Sequence, residues 1–157
     1  RDTASVERLS GEVHALAREH GFVQIEGWSG ASLGWARAQL GTPSEGAALI
    51  RSSLLLLART DTRVSLPLFL TLLGEAQALK GDKEAALENF EEALTISPPE
   101  GQYRPIALIS RGELEARTGE IARAEASFRE AIATAELMGA VACKQRALRK
   151  LGELHSA

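Results

Sequence analysis

The chain has 157 residues, a formal net charge of −3, 45% hydrophobic but only 4% aromatic residues, and one cysteine. That length suits a single domain able to bury most of the apolar surface its unfolded form exposes. The weakly acidic balance offers no general attraction for nucleic acid or an anionic membrane surface. Cys143, being alone, excludes an intramolecular disulfide and a multi-thiolate zinc site within one chain.

The first expected helix, about Val6 to His20, interleaves charged and apolar residues, unlike the unbroken apolar core of a signal peptide. It stops at Gly21, a natural left-handed terminator. A second runs from Gln24 to Leu40 and closes at Gly41. Thr42-Pro43-Ser44-Glu45 then supplies an N-cap, a proline at the first helical position and a carboxylate in the first turn, opening a helix to about Arg59. The polar stretch 60–65 marks a turn, and Leu66-Pro67 opens the next helix, which runs to Lys80. Gly81-Asp82 starts its partner, ended by Pro98, Pro99 and Gly101. Further helices are expected over Pro105 to Thr118, Ile121 to Met138 and Val141 to His155. The longest apolar run, Leu66 to Gly74, is far short of the ~20 residues of a membrane span. With the single cysteine, this points to a soluble protein of the reducing cytoplasmic compartment.

Within this series, LGEAQALKGDKEAALENFEEALTISP (73–98) places Leu73, Gly74, Gly81, Ala86, Phe90, Ala93 and Pro98 at motif spacing. Leu-Gly, then Gly, then Ala-x3-aromatic and a closing Pro resembles the tetratricopeptide repeat. The landmark glycine recurs as Gly34, Gly112 and Gly152, in steps of 40, 38 and 40 residues, longer than the family's usual ~34. Gly112, Gly119, Ala124, Phe128 and Ala131 repeat the pattern, with Arg111 where leucine is expected. The earlier unit keeps Leu33, Gly34 and Gly41 but holds Gly46, Ile50 and Ser53 in place of Ala, aromatic and Ala.

The resemblance implies an all-α fold: an α-α superhelix, a tetratricopeptide-like solenoid of about seven antiparallel helices forming one domain. It divides into the second helix of a truncated repeat at 1–22, repeats at 23–60, 61–99 and 100–139, and a terminal helix at 140–157. Stacked repeats stabilise one another and exposed ends need capping, so helices unpaired at both ends imply part of something longer. LAREHGF with LGWARAQLG, and RGELEARTG with AEASFREAI, look like the repeat tail of bacterial multidomain signalling ATPases, some fused to adenylate cyclase domains. Only the repeat tail carries over, because no GxxxxGK[ST] or strand-linked GxGxxG is present.

Catalytic and cofactor chemistry finds no support, and neither a metal nor an enzymatic activity is expected. His14, His20 and His155 include no i, i+4 pair for a helical metal face, and His20 is placed to cap a helix C-terminus. Cys143 beside Lys144 is either a thiol of lowered pKa or a small buried hydrophobe. No GxSxG or SxxK gives a serine a base, and Glu91-Glu92 falls on a solvated helix face.

In the tetratricopeptide family the first helix of each pair lines a concave groove. Carried over by register, the resemblance places Trp28, Ala31, Trp35 and Ala38 there, then Leu68, Thr71, Glu75 and Ala78. Ile106, Ile109, Glu113 and Ala116 follow, and Arg146, Arg149 and Glu153 close the series. Such a groove is aromatic at one end, acidic in the middle and mixed in charge at the other, and suits an apolar or basic segment of a protein or peptide. Trp28 and Trp35 are seven apart on one helical face, and are either core or binding hot spots. Arg111 either snorkels past its neighbours or pairs with a groove carboxylate such as Glu75. The Lys, Asn and Arg clamp that some members use for a C-terminal carboxylate is absent, its places being held by Ala31, Trp35, Leu72, Ile106 and Ser110. The expected function is a protein-interaction scaffold within a bacterial signalling or regulatory protein. The alternative is self-association through uncapped ends, a homo-oligomer bringing attached ATPase or cyclase domains together.

Overall fold

A computed structural model describes residues 2–60 and 63–156, and every regular element among them is an α-helix. In chain order these are α1 (Thr3–Glu19), α2 (Val23–Gln39), α3 (Pro43–Leu57), α4 (Leu66–Lys80), α5 (Lys83–Ile96), α6 (Arg104–Arg117), α7 (Ile121–Leu137) and α8 (Val141–Ser156). The described helices number eight and match the eight that the turn signals mark one by one, so the expected total of about seven was one too few. Asp61 and Thr62 of the expected turn at 60–65 lie outside the described residues. No helix among the described residues is long and apolar enough to cross a membrane.

Local chemistry sets the boundaries. Asp2 accepts the Ser5 amide at 3.2 Å and Asp82 accepts the Ala85 amide at 3.4 Å, each satisfying a donor that the first helical turn leaves free. Proline stands in the first turn of α3, α4 and α6, where its missing N–H costs nothing. Gly81 closes α4 at φ 90°, a left-handed conformation that an L side chain resists.

The pairs α2–α3, α4–α5 and α6–α7 form helical hairpins. Each first helix is notched by its landmark glycine. A Cβ on Gly74 would sit 2.5 Å from the Phe90 ring, and one on Gly112 would sit 2.7 Å from the Phe128 ring. In the α2–α3 pair, where isoleucine replaces the aromatic, backbone meets backbone instead: a Cβ on Gly34 would lie 2.7 Å from the Gly46 carbonyl oxygen. The substitutions Gly46 and Ile50 thus preserve the packing by bringing the helices closer together.

A polar bridge recurs beside these contacts. Gln77 meets Asn89 at 2.7 Å across the α4–α5 pair, and Ser127 donates to Glu115 at 2.6 Å across α6–α7. Both bridges sit three and fifteen residues after their glycine.

Every odd-numbered helix also packs on the even-numbered helix that follows it, from α1 on α2 to α7 on α8. Even-numbered helices touch in succession, whereas the backbones of the odd-numbered helices stand apart from one another among the described residues. Close spacing on one side and wide spacing on the other curve the array, with α2, α4, α6 and α8 on its inner face.

Candidate binding groove

A groove of about 820 Å³ opens on the inner face along α4, α6 and α8. Its walls come from the residues just after the landmark glycines, Glu75, Glu113 and Glu153, and from Ala78 and Ala116 three positions further on. That spacing keeps one helical face toward the opening. Leu79, Ile121 and Leu154 supply apolar rim, and the otherwise buried rings of Phe90 and Phe128 close the floor.

The three carboxylates share a register but not an environment. Both oxygens of Glu113 accept from Arg146 at 3.2 Å, and Lys150 stands 3.7 Å away. Glu153 pairs with Lys150 at 3.0 Å and Arg149 at 3.7 Å. Among the described residues, Glu75 is held by neutral donors alone: the Trp35 indole N–H at 2.5 Å on Oε2 and the Ser110 hydroxyl at 2.6 Å on Oε1. No lysine or arginine among the described residues pairs with it. One carboxylate therefore ties α2, α4 and α6 together on the inner face, and the expected acidic middle contracts to Glu75.

The tryptophans part company. Trp35, 6% exposed, joins the core with Phe69 and Leu72, whereas Trp28 remains 39% exposed and does not line the groove. Trp35 is thus both core and, through its N–H, an orienting partner of Glu75.

Four other expected groove residues lie elsewhere. Thr71 and Ile109 are 0% exposed. Their position, three before the glycine, turns into the helix stack, and the Thr71 hydroxyl donates to the Pro67 carbonyl at 2.8 Å. Leu68 and Ile106 are half-buried outside the opening, with Leu68 against the cluster that contains Trp35. Arg146 reaches the groove only through Glu113, and Arg149 is exposed beside Glu153.

Arg111 faces away from the groove. Two residues before Glu113, it lies about 200° round the helix from it. Its guanidinium pairs with Glu91 at 2.8 Å, donates to the Ser127 hydroxyl at 3.1 Å and stands 3.8 Å from Glu115 one turn on, so its partners belong to α5, α7 and its own helix and Glu75 is not among them.

Several lining residues escaped the sequence reading, namely Leu79, Arg117, Ile121, Lys150 and Leu154. A signal existed for two of them, since Gln39, Leu79 and Arg117 all stand five residues after a landmark glycine and all border the groove. Cys143 packs at the edge of the α6–α7 core, and the neighbouring Lys144 is engaged by Glu136 at 2.8 Å. The His14 ring donates from Nδ1 to the Glu26 carbonyl at 3.0 Å. No group of three or more His, Cys, Asp or Glu among the described residues is placed to hold a metal ion.

Comparison with known proteins agrees with this architecture. Residues 69–100, which include most of α4 and all of α5, match the family model described as tetratricopeptide repeat. Over 156 residues, 98% of its length, the chain is 30% identical to an uncharacterized protein of Rhizobium meliloti, and it spans only 15% of that protein. The chain is an all-α array of paired helices carrying one tetratricopeptide repeat match, and such repeats are protein-interaction elements.

Proposed function

We propose that the chain is a non-enzymatic scaffold that holds a segment of a partner protein in the groove along α4, α6 and α8, within a larger bacterial signalling or regulatory protein. The carrying observation is the open inner-face groove, with an apolar floor and rim and a single uncompensated carboxylate, in the region around the repeat match. Its length relation to the Rhizobium meliloti relative supports a place within a longer protein. Ala116→Arg fills the groove from a helix that tolerates arginine. Peptides selected from a displayed library by the native chain should bind this variant at least about tenfold more weakly, a loss of about 1.4 kcal/mol. Undiminished binding places the contact elsewhere and sinks the reading.

A second reading is self-association, and one observation favours it. Leu9, Val13 and Leu16 on α1 are 50%, 45% and 56% exposed, and their spacing sets them on one face. On this reading α1 joins copies of the chain and brings attached ATPase or cyclase domains together. Sedimentation equilibrium of the native chain beside Leu16→Glu checks it: dimer lost in the variant supports it, and a native monomer at high concentration rejects it.

A further inference from the structure

We propose that Glu75 determines the specificity of the groove, and that the segment bound there carries a lysine or arginine whose cation docks on the Glu75 carboxylate, flanked by aliphatic side chains that rest on Leu79 and Ile121. This rests on the groove reading above and deepens it by naming the chemistry of the occupant.

Positions equivalent in the repeat are unequal in their partners. Glu75, Glu113 and Glu153 each follow a landmark glycine and each line the groove, yet α8 supplies Arg146 and Lys150 to Glu113 and Lys150 to Glu153. Glu75, one repeat further from α8, receives from the described residues only an indole N–H and a hydroxyl. A carboxylate accepts about four hydrogen bonds, so about half of its capacity faces the groove. Its two neutral partners come from different helices and hold it in one orientation, which reduces the ordering that binding must otherwise impose.

Location raises the value of a cation here. Exposed ion pairs contribute little because solvent screens them, but Glu75 is half-buried beside Ala78, Leu79 and Phe90. An anionic occupant meets an unneutralised charge, and a wholly apolar one strips water from it without replacement. Lysine and arginine add long apolar stems that cover groove wall while the charge reaches the carboxylate.

The molecule contains its own reporter, since the Trp35 indole N–H donates directly to Glu75. Capped tripeptides Leu-Lys-Leu and Leu-norleucine-Leu are titrated to millimolar concentration into isotope-labelled native chain. The Trp35 indole resonance reads Glu75, the methyl resonances of Leu79 and Leu154 read groove occupancy, and the Trp28 indole serves as the control outside the groove. The lysine peptide is expected to shift the Trp35 resonance saturably at a concentration about tenfold below that of the norleucine peptide. Glu75→Gln should equalise the two peptides, an unshifted Trp28 resonance confirming that the variant is folded. If the peptides move the methyl groups equally in the native chain, the groove stands and the Glu75 inference falls. If neither moves those methyl groups, both the groove reading and this inference are overturned.

Discussion

Two glycines at the same motif position lead to opposite expectations, because what lies opposite each differs. A methyl group on Gly74 meets the Phe90 ring at 2.5 Å, and that ring is fully buried and has nowhere to move. Gly74→Ala should lower stability by about 1–3 kcal/mol through overpacking. A methyl group on Gly152, inside α8, meets nothing within 4 Å. Gly152→Ala should therefore raise stability by about 0.5–1 kcal/mol by removing backbone freedom from the unfolded chain. Chemical denaturation of the two variants separates the cases, and equal signs would refute the packing account. Arg111, which departs from the motif, tests a different kind of residue effect. It completes a chain from Glu91 through Ser127 to Glu115, whose carboxylate is buried. Arg111→Met should cost about 1–3 kcal/mol by leaving that buried group underbonded. Adding Glu115→Gln to it should cost less than the sum of the single changes, because the two residues share one network. Additive losses in the double-mutant cycle would show that they do not.

Among the helices, the N-terminus of α5 is tied to that of α7 by Lys83 donating to Glu120, the residue that precedes α7. The Lys83 hydrogen bond, helped by Arg123, holds the Glu120 carboxyl below its ordinary value of 4.5. A carboxylate whose pKa is depressed by folding stabilises the fold above the unfolded value, and that contribution disappears as pH falls through the lower folded value. Lys83→Met should therefore melt below the native chain at neutral pH, and the gap should narrow as pH drops below 4.5. A gap independent of pH would assign the effect to packing. Asp2 follows the same sign, its carboxyl lowered by the Ser5 hydroxyl and amide at the start of α1. Helix boundaries were largely legible because they depend on such local chemistry. The difference at α1, which begins at Thr3 and not Val6, arises because Asp2 and Ser5 cap it ahead of its first apolar residue.

Across the whole molecule, burial is high in α2, α4 and α6 and falls away at the two terminal helices. Ala17 is the one fully buried residue described in α1, and Ala147 its counterpart in α8, whereas α4 and α6 each bury eight or more. In an array held by neighbour contacts the ends open at lower free energy than the centre. Amide exchange should be fastest in α1 and α8 and slowest in α4 and α6, and uniform protection would contradict the graded picture.

The sequence by itself determined where helices start and stop, that they pair through the glycine and aromatic positions, and that residues after each glycine share an inner face. Those features depend on contacts within a turn or between adjacent helices, which spacing encodes directly. Tertiary structure alone decided that Thr71 and Ile109 are core, that Arg111 serves α5 and α7, and that Trp35 and Trp28 have different fates on one helical face. It also decided the charge of the groove. Arg146 neutralises Glu113 from 33 residues away, while Glu75 in the same register receives no cation from the described residues. Periodicity tells which side of a helix a residue occupies, but burial and electrostatics depend on what a distant segment places opposite it.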